Sequence, residues 1–129
     1  MTPHELREIP LFDGLSAAGL ERLAARAAEV ECEPGQILAL EGDPGSGMFV
    51  ILDGTVSVEM RGGFHTELQQ GNFFGEIALL VPDAKRVARV RAATPARLLT
   101  VPRDDFLALV ESEPPLALRM LRELARRLS

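Results

Sequence analysis

Apolar residues change their period twice along the chain. Between Ser16 and Ala28 they recur at Leu20, Leu23, Ala24 and Ala27, the spacing of one helix face, and Ser16 is placed to cap that helix. From Val30 to Val101 the period falls to two: Val56, Val58 and Met60 alternate with Thr55, Ser57 and Glu59, and short apolar runs such as Met48 to Leu52 are broken by glycines. Turn signals at Pro34-Gly35, Gly42-Asp43-Pro44-Gly45, Asp53-Gly54, Arg61-Gly62-Gly63 and Gln70-Gly71 are spaced as in a sandwich or barrel. After Val101 the helical period returns. Pro102 is expected in a first turn with Asp104 and Asp105 complementing the helix N-terminus, and Phe106, Leu109 and Val110 share a face. Ser112-Glu113-Pro114-Pro115 breaks this helix, and Leu116, Ala117, Met120, Leu121, Leu124 and Leu128 form the apolar stripe of a last one, ending in Arg126 and Arg127. One short helix is thus expected to open the domain, a meander of strands to fill its middle, and two helices to follow.

The stretch 71–92, GNFFGEIALLVPDAKRVARVRA, interrupts the meander. Gly75 permits a tight turn, and Glu76 to Leu80 can make little more than one helical turn before Pro82 and Asp83. The free amides of such a turn suit an anion. Beyond it, Ala88, Val90 and Ala92 share one face of a strand, Arg89 and Arg91 the other, and Arg86 has the parity of the apolar face. An inward arginine keeps its charge and needs a carboxylate or a bound anion beside it. Glu76 and a ligand phosphate are the two candidate partners, and a carboxylate also accepts from a sugar hydroxyl, so Glu76 could read a ribose while Arg86 reads a charge.

Composition narrows the function classes. A chain of 129 residues that is 47% hydrophobic supports one core, read as a single domain over 1–129, with a helical segment at 1–28, a β-roll at 29–101 and helices at 102–129. One cysteine, Cys32, excludes an internal disulfide and a thiolate cluster, and it reads as a small buried residue. His4 and His65 stand far apart without ligand-spaced partners, so no metal is expected. A net charge of -5 with no Trp or Tyr argues against nucleic-acid binding by this chain. No apolar run reaches a membrane span, and Met1-Thr2-Pro3-His4-Glu5 lacks the features of a signal peptide, which points to the cytoplasm. Paired carboxylates and nucleophile–base sets are missing around 71–92, so no catalysis is expected.

The run Gly75-Glu76-Ile77-Ala78-Leu79-Leu80, then five residues, then Arg86-Val87-Ala88, resembles the phosphate-binding cassette of cyclic nucleotide-binding domains, found in catabolite-activator-type regulators, cyclic nucleotide-gated channels and cAMP-dependent protein kinase regulatory subunits. The resemblance continues upstream through Pro34-Gly35-Gln36, Glu41-Gly42-Asp43-Pro44-Gly45, Met48-Phe49, Gly54 to Val58 and Gly71, and covers almost the whole chain from Pro10-Leu11-Phe12 to the last helix. It implies a mainly β fold with flanking helices: a jelly-roll-like β-roll with an N-terminal helix, a one-turn phosphate-binding helix and two C-terminal helices. It also implies that Glu76 bonds the ribose 2′-hydroxyl and Arg86 pairs with the cyclic phosphate. The amides of Ile77, Ala78, Val87 and Ala88 complete the anion site, and Val58 packs on the purine. Phe74 and Gly75 belong to the same segment, although neither Phe73 nor Phe74 is needed as a stacking residue.

Three departures matter. Val87 stands where the family has Ser, Thr or Ala; it offers no hydroxyl to phosphate or guanine, which costs about 0.5–1.5 kcal/mol of hydrogen bonding and favours cAMP over cGMP as the ligand. Arg89 stands where the family often has Thr, and its parity makes it a solvated surface charge. The chain ends near the point where the family's last helix lids the base, so a lid is expected to be missing or supplied by a neighbouring subunit. Arg127 is placed either to reach Glu76 or to complement its own helix dipole, and the dipole is the expected role. The stripe of the last helix serves a homodimer seam or a cover for the roll, and the output is expected from an effector domain outside 1–129. A ligand-free interaction domain, with Glu76 and Arg86 as an internal salt bridge, and the sensor half of a transcription regulator are the competing readings; the former predicts a pocket filled by its own side chains.

Overall fold

The apolar run from Met48 to Leu52 and the pair Leu98-Leu99 lie in strands buried on both faces, which is why they show no alternation. A computed structural model describes residues 1–39, 47–63, 65–81 and 88–129. Its elements in chain order are α1 (Pro3–Arg7), a 3-10 turn (Pro10–Phe12), α2 (Ala17–Arg26), β1 (Ala28–Cys32), β2 (Ile37–Ala39), β3 (Gly47–Asp53), β4 (Val56–Met60), β5 (His65–Leu68), β6 (Phe73–Phe74), α3 (Ile77–Leu80), β7 (Ala88–Ala92), β8 (Ala96–Pro102), α4 (Arg103–Ser112) and α5 (Pro114–Arg127). Two four-stranded antiparallel sheets, ordered β1-β8-β3-β6 and β2-β7-β4-β5, make the expected β-roll.

Two apolar clusters lie on either side of the first sheet. Ile51, Phe74, Ala96 and Leu98 face the interior of the roll, where they meet Val56, Val90 and Ala92 of the second sheet and the buried Cys32. Met48, Val50, Leu52, Phe73, Leu99 and Val101 face the other way and pack on Leu20 and Leu23 of α2, Phe106 and Leu109 of α4, and Leu116 and Met120 of α5. The second sheet has only one covered face, so β7 alternates as expected: Ala88, Val90 and Ala92 are buried while Arg89 is exposed. Asp53-Gly54 joins β3 to β4 at a φ of +88°, and a Cβ on Gly54 would strike the Pro95 carbonyl and come within 2.8 Å of the Ala96 Cα.

Several expectations need correction. α2 is not the first helix: Thr2 and Glu5 form a reciprocal capping box, Thr2 Oγ1 accepting from the Glu5 amide and Glu5 from the Thr2 amide, with Pro3 at the first helical position of α1. Pro102 ends β8 and stands at the N-cap of α4 rather than in its first turn. Asp105 does more than complement a dipole, being only 4% exposed and bonded to Arg22 Nε at 2.9 Å and Arg26 Nε at 3.1 Å. Burial disfavours its charge, but the hydrogen bonds from the two α2 arginines outweigh burial and hold the carboxyl below its ordinary value. The stripe of α5 divides: Leu116 and Met120 enter the core, whereas Leu121 is 64% and Leu128 90% exposed.

Candidate functional site

The inner faces of β4, β5 and β7, the turn into α3 and the last turns of α5 line an open cavity of about 610 Å³, within the size range of small-molecule sites. The pleat sets the floor. Val58 and Met60 on β4 and Thr66 and Leu68 on β5 share the inward parity, paired as Val58 with Thr66 and Val56 with Leu68. Val58 pairs on its other side with Val90, and Met60 with Ala88, which extends the apolar floor onto β7.

The cassette turn makes one wall. β6 ends at Phe74, whose ring stacks on Phe49 at 4.8 Å between centroids. Gly75 then takes a φ of +93°, a left-handed value that suits glycine, and delivers Glu76 to the N-cap of α3. The helical ladder begins with the Leu79 and Leu80 amides, both donating to the Glu76 carbonyl, so the Ile77 and Ala78 amides stand ahead of it. Leu79 anchors the turn in the helical core while Ile77 stays exposed at the cavity.

Glu76 is 2% exposed, and its carboxylate lines the cavity. Arg127 Nη1 meets Glu76 Oε1 at 3.2 Å, while Nη2 donates to the Phe73 carbonyl at 2.6 Å and the guanidinium lies 4.7 Å from the centre of the Phe73 ring. Glu123 joins this rim: Oε1 meets Arg127 Nε at 3.3 Å, and the carboxylate takes a two-pronged grip from Arg126 at 2.7 and 3.0 Å. Burial works against the charge of Glu123, and the arginine hydrogen bonds overcome it, leaving its carboxyl below the usual value.

Val58, Phe74, Gly75, Glu76, Ile77, Ala78 and Ala88 therefore come together around one cavity. Arg86 and Val87 lie outside the described residues, as does the Glu41-Gly42-Asp43-Pro44-Gly45 stretch. One expectation is overturned: Arg127 reaches across to Glu76 instead of serving its own helix end, and α5 lines the cavity through Glu123, Arg126 and Arg127. Arg89 is the exposed charge its parity predicts, outside the cavity, and it pairs with Glu59 at 2.7 Å directly across the β4–β7 ladder, with Arg91 on the same carboxylate. The Arg89 hydrogen bond is the main cause of the lowered Glu59 pKa. Sequence reasoning also passed over Met60, Thr66, Leu68 and Asn72 among the lining residues. Met60 was reachable from the parity of Val58; β5 is too polar to advertise a strand.

A model of the cyclic nucleotide-binding domain family matches residues 29–113. A cAMP-dependent protein kinase regulatory subunit from Yarrowia lipolytica is 33% identical over 107 residues, covering 81% of this chain and 28% of its own length. Potassium/sodium hyperpolarization-activated cyclic nucleotide-gated channel 3 of Homo sapiens is 42% identical over 106 residues, covering 82% of this chain and 14% of the channel. Among solved structures, the catabolite activator protein of Thermus thermophilus superposes with a TM-score of 0.74 at 30% identity, covering 92% of this chain and 58% of that one. The chain thus spans less than a third of the length of these two curated relatives.

Proposed function

The chain belongs to the cyclic nucleotide-binding domain family, and on that premise we propose that its cavity is a sensor site for a cyclic nucleotide, cAMP in preference to cGMP. The family is one of regulatory ligand-binding domains, and the curated relatives are a kinase regulatory subunit and an ion channel. The observation that carries the reading is a buried carboxylate, Glu76, facing a cavity of about 610 Å³ whose floor is apolar and whose rim is charged. In this proposal Glu76 accepts from the ribose 2′-hydroxyl and Arg86 pairs with the phosphate, with the amides of Ile77, Ala78, Val87 and Ala88 around it. Val58 packs on the purine. The Yarrowia relative's name, a cAMP-dependent regulatory subunit, supports cAMP, and Val87 supports it by offering guanine no hydroxyl. Binding orders the cassette, shifts α5 against the roll and passes the signal to an effector segment or a second copy in the cytoplasm. Among the described residues no helix is long and apolar enough to cross a membrane.

The Glu76–Arg127 pair favours a second reading, in which the carboxylate serves the fold alone. Calorimetric titration with cAMP and with cGMP, beside Arg86→Ala, separates the two. Saturable cAMP binding, weaker for cGMP and lost in Arg86→Ala, is the expected result. A folded chain that takes up neither nucleotide at millimolar concentration sinks the sensor reading and leaves the structural one.

A further inference from the structure

One row of side chains crosses the second sheet on its cavity face: Val90 on β7, Val58 on β4 and Thr66 on β5, each directly opposite the next in the ladders. Leu68 and Ala88, which flank this row on the same floor, are apolar as well. Thr66 departs from the pattern. It carries the one hydroxyl among the described residues that line the cavity, and no hydrogen bond holds that hydroxyl among the described residues. A β-branched residue suits a strand whichever face it takes. That preference does not account for a polar group in a row whose other members are valines.

The order of the strands gives the row a direction. β7 lies inside the sheet and β5 forms its edge, so Thr66 stands two strand spacings, about 10 Å, from Val90. In the function proposed above, on which this inference rests, the phosphate lies at the β7 end beside Arg86, Glu76 takes the ribose, and the base crosses Val58. A purine is joined to its ribose through the five-membered ring, so its six-membered ring, with the group at position 6, is the end that passes beyond Val58 toward β5. We propose that Thr66 is a specificity-determining residue that reads this far edge of the base. Its hydroxyl accepts from the 6-amino group of adenine and, turned the other way, donates to the 6-oxo group of guanine. The site thereby selects purines with a polar group at position 6 and leaves the choice between cAMP and cGMP to residues elsewhere. The single ring of a pyrimidine nucleotide ends over Val58 and forgoes the bond.

Calorimetric titration of the intact chain with cAMP and with purine riboside 3′,5′-cyclic monophosphate, which differs from cAMP only in bearing hydrogen at position 6, tests this on the wild type, Thr66→Val and Thr66→Ser. The wild type is expected to bind cAMP more tightly than the unsubstituted nucleotide. Thr66→Val keeps the shape of the side chain without its hydroxyl. It should weaken cAMP by about two- to tenfold, the effect of losing one neutral hydrogen bond, and leave the unsubstituted nucleotide unchanged, so that the gap between the two ligands closes. Thr66→Ser retains the hydroxyl and should retain the gap. The ratio of the two affinities is the readout, because a distortion of β5 would weaken both ligands alike. A ratio in Thr66→Val equal to that of the wild type, or a ratio that collapses in Thr66→Ser, overturns the role of Thr66 and leaves the sensor reading standing. A wild type that binds neither nucleotide overturns the sensor reading and this inference with it.

Discussion

Arg127→Met is the substitution that bears most directly on how the cavity is closed. It keeps most of the aliphatic stem and removes the guanidinium. Four contacts go with it: the Glu76 pair at 3.2 Å, the bond to the Phe73 carbonyl at 2.6 Å, the approach to Glu123 at 3.3 Å and the stacking over the Phe73 ring at 4.7 Å. A charged donor on a carbonyl contributes about 1.5–3 kcal/mol, and an arginine over a phenyl ring about 0.5–1 kcal/mol. Glu76 is buried but the Arg127 side chain is 28% exposed, so screening reduces the pair itself to about 1 kcal/mol. One guanidinium makes all four contacts, which therefore do not add in full, and about 3 kcal/mol is the expected loss. For a chain of this size that lowers the thermal midpoint by about 9–15 °C. Urea unfolding followed by circular dichroism measures the free energy, and Arg127→Lys, which keeps a charge without the planar fork, should fall between. Crossing Arg127→Met with Glu76→Gln should return a coupling of about 1 kcal/mol. A loss below about 1 kcal/mol, or no coupling in the cycle, would falsify the claim that the end of α5 is held down by the cassette.

Asp105→Asn should cost about 2–3 kcal/mol at neutral pH, between the values for exposed and buried pairs because the arginines are half exposed. Because its folded pKa is depressed, the contribution of Asp105 is fully present above the unfolded-state value of about 3.9 and is lost as pH falls through the folded one. Wild type and variant should therefore converge in stability in acid, and a gap that widens on acidification contradicts the assignment. Gly54→Ala combines a left-handed φ with a clash on Pro95 and Ala96, so it should lose at least about 2 kcal/mol. Gly71→Ala, with a φ of +91° and open space around it, should lose only about 1 kcal/mol; equal losses would mean that the clash is relieved by backbone movement. Burial raises the Cys32 thiol pKa, so a disulfide reagent should label the native chain far more slowly than the urea-unfolded one, and equal rates would place Cys32 at the surface.

What could be read from the chain and what could not follow the range of the forces concerned. The helix face of Leu20 and Leu23, the doubly buried strands around Val50 and Leu98, and the inward parity of Val58, Ala88 and Val90 are periodic, because a buried face repeats along an element. The turn at Gly75 was legible for a local reason as well, since glycine tolerates a backbone angle that other residues resist. α1 carried its capping box in plain view, but with Leu6 alone buried it has no period to notice. β5 is a sheet edge whose residues are mostly exposed, so its polar composition reads as a loop. Charges are different again. Asp105 in a first turn and Arg127 in a last turn both satisfy the helix dipole, a local explanation sufficient to end the inquiry at the level of sequence. Each is in fact claimed by partners on another element: Asp105 by Arg22 and Arg26 of α2, and Arg127 by Glu76, 51 residues earlier. Periodicity reports which face of an element is buried and carries no information about which charges meet once the elements are stacked. The floor of the cavity, made of strand faces, is therefore written in the pattern, whereas the Glu76–Arg127–Glu123 cluster on its rim forms where α5 crosses the cassette.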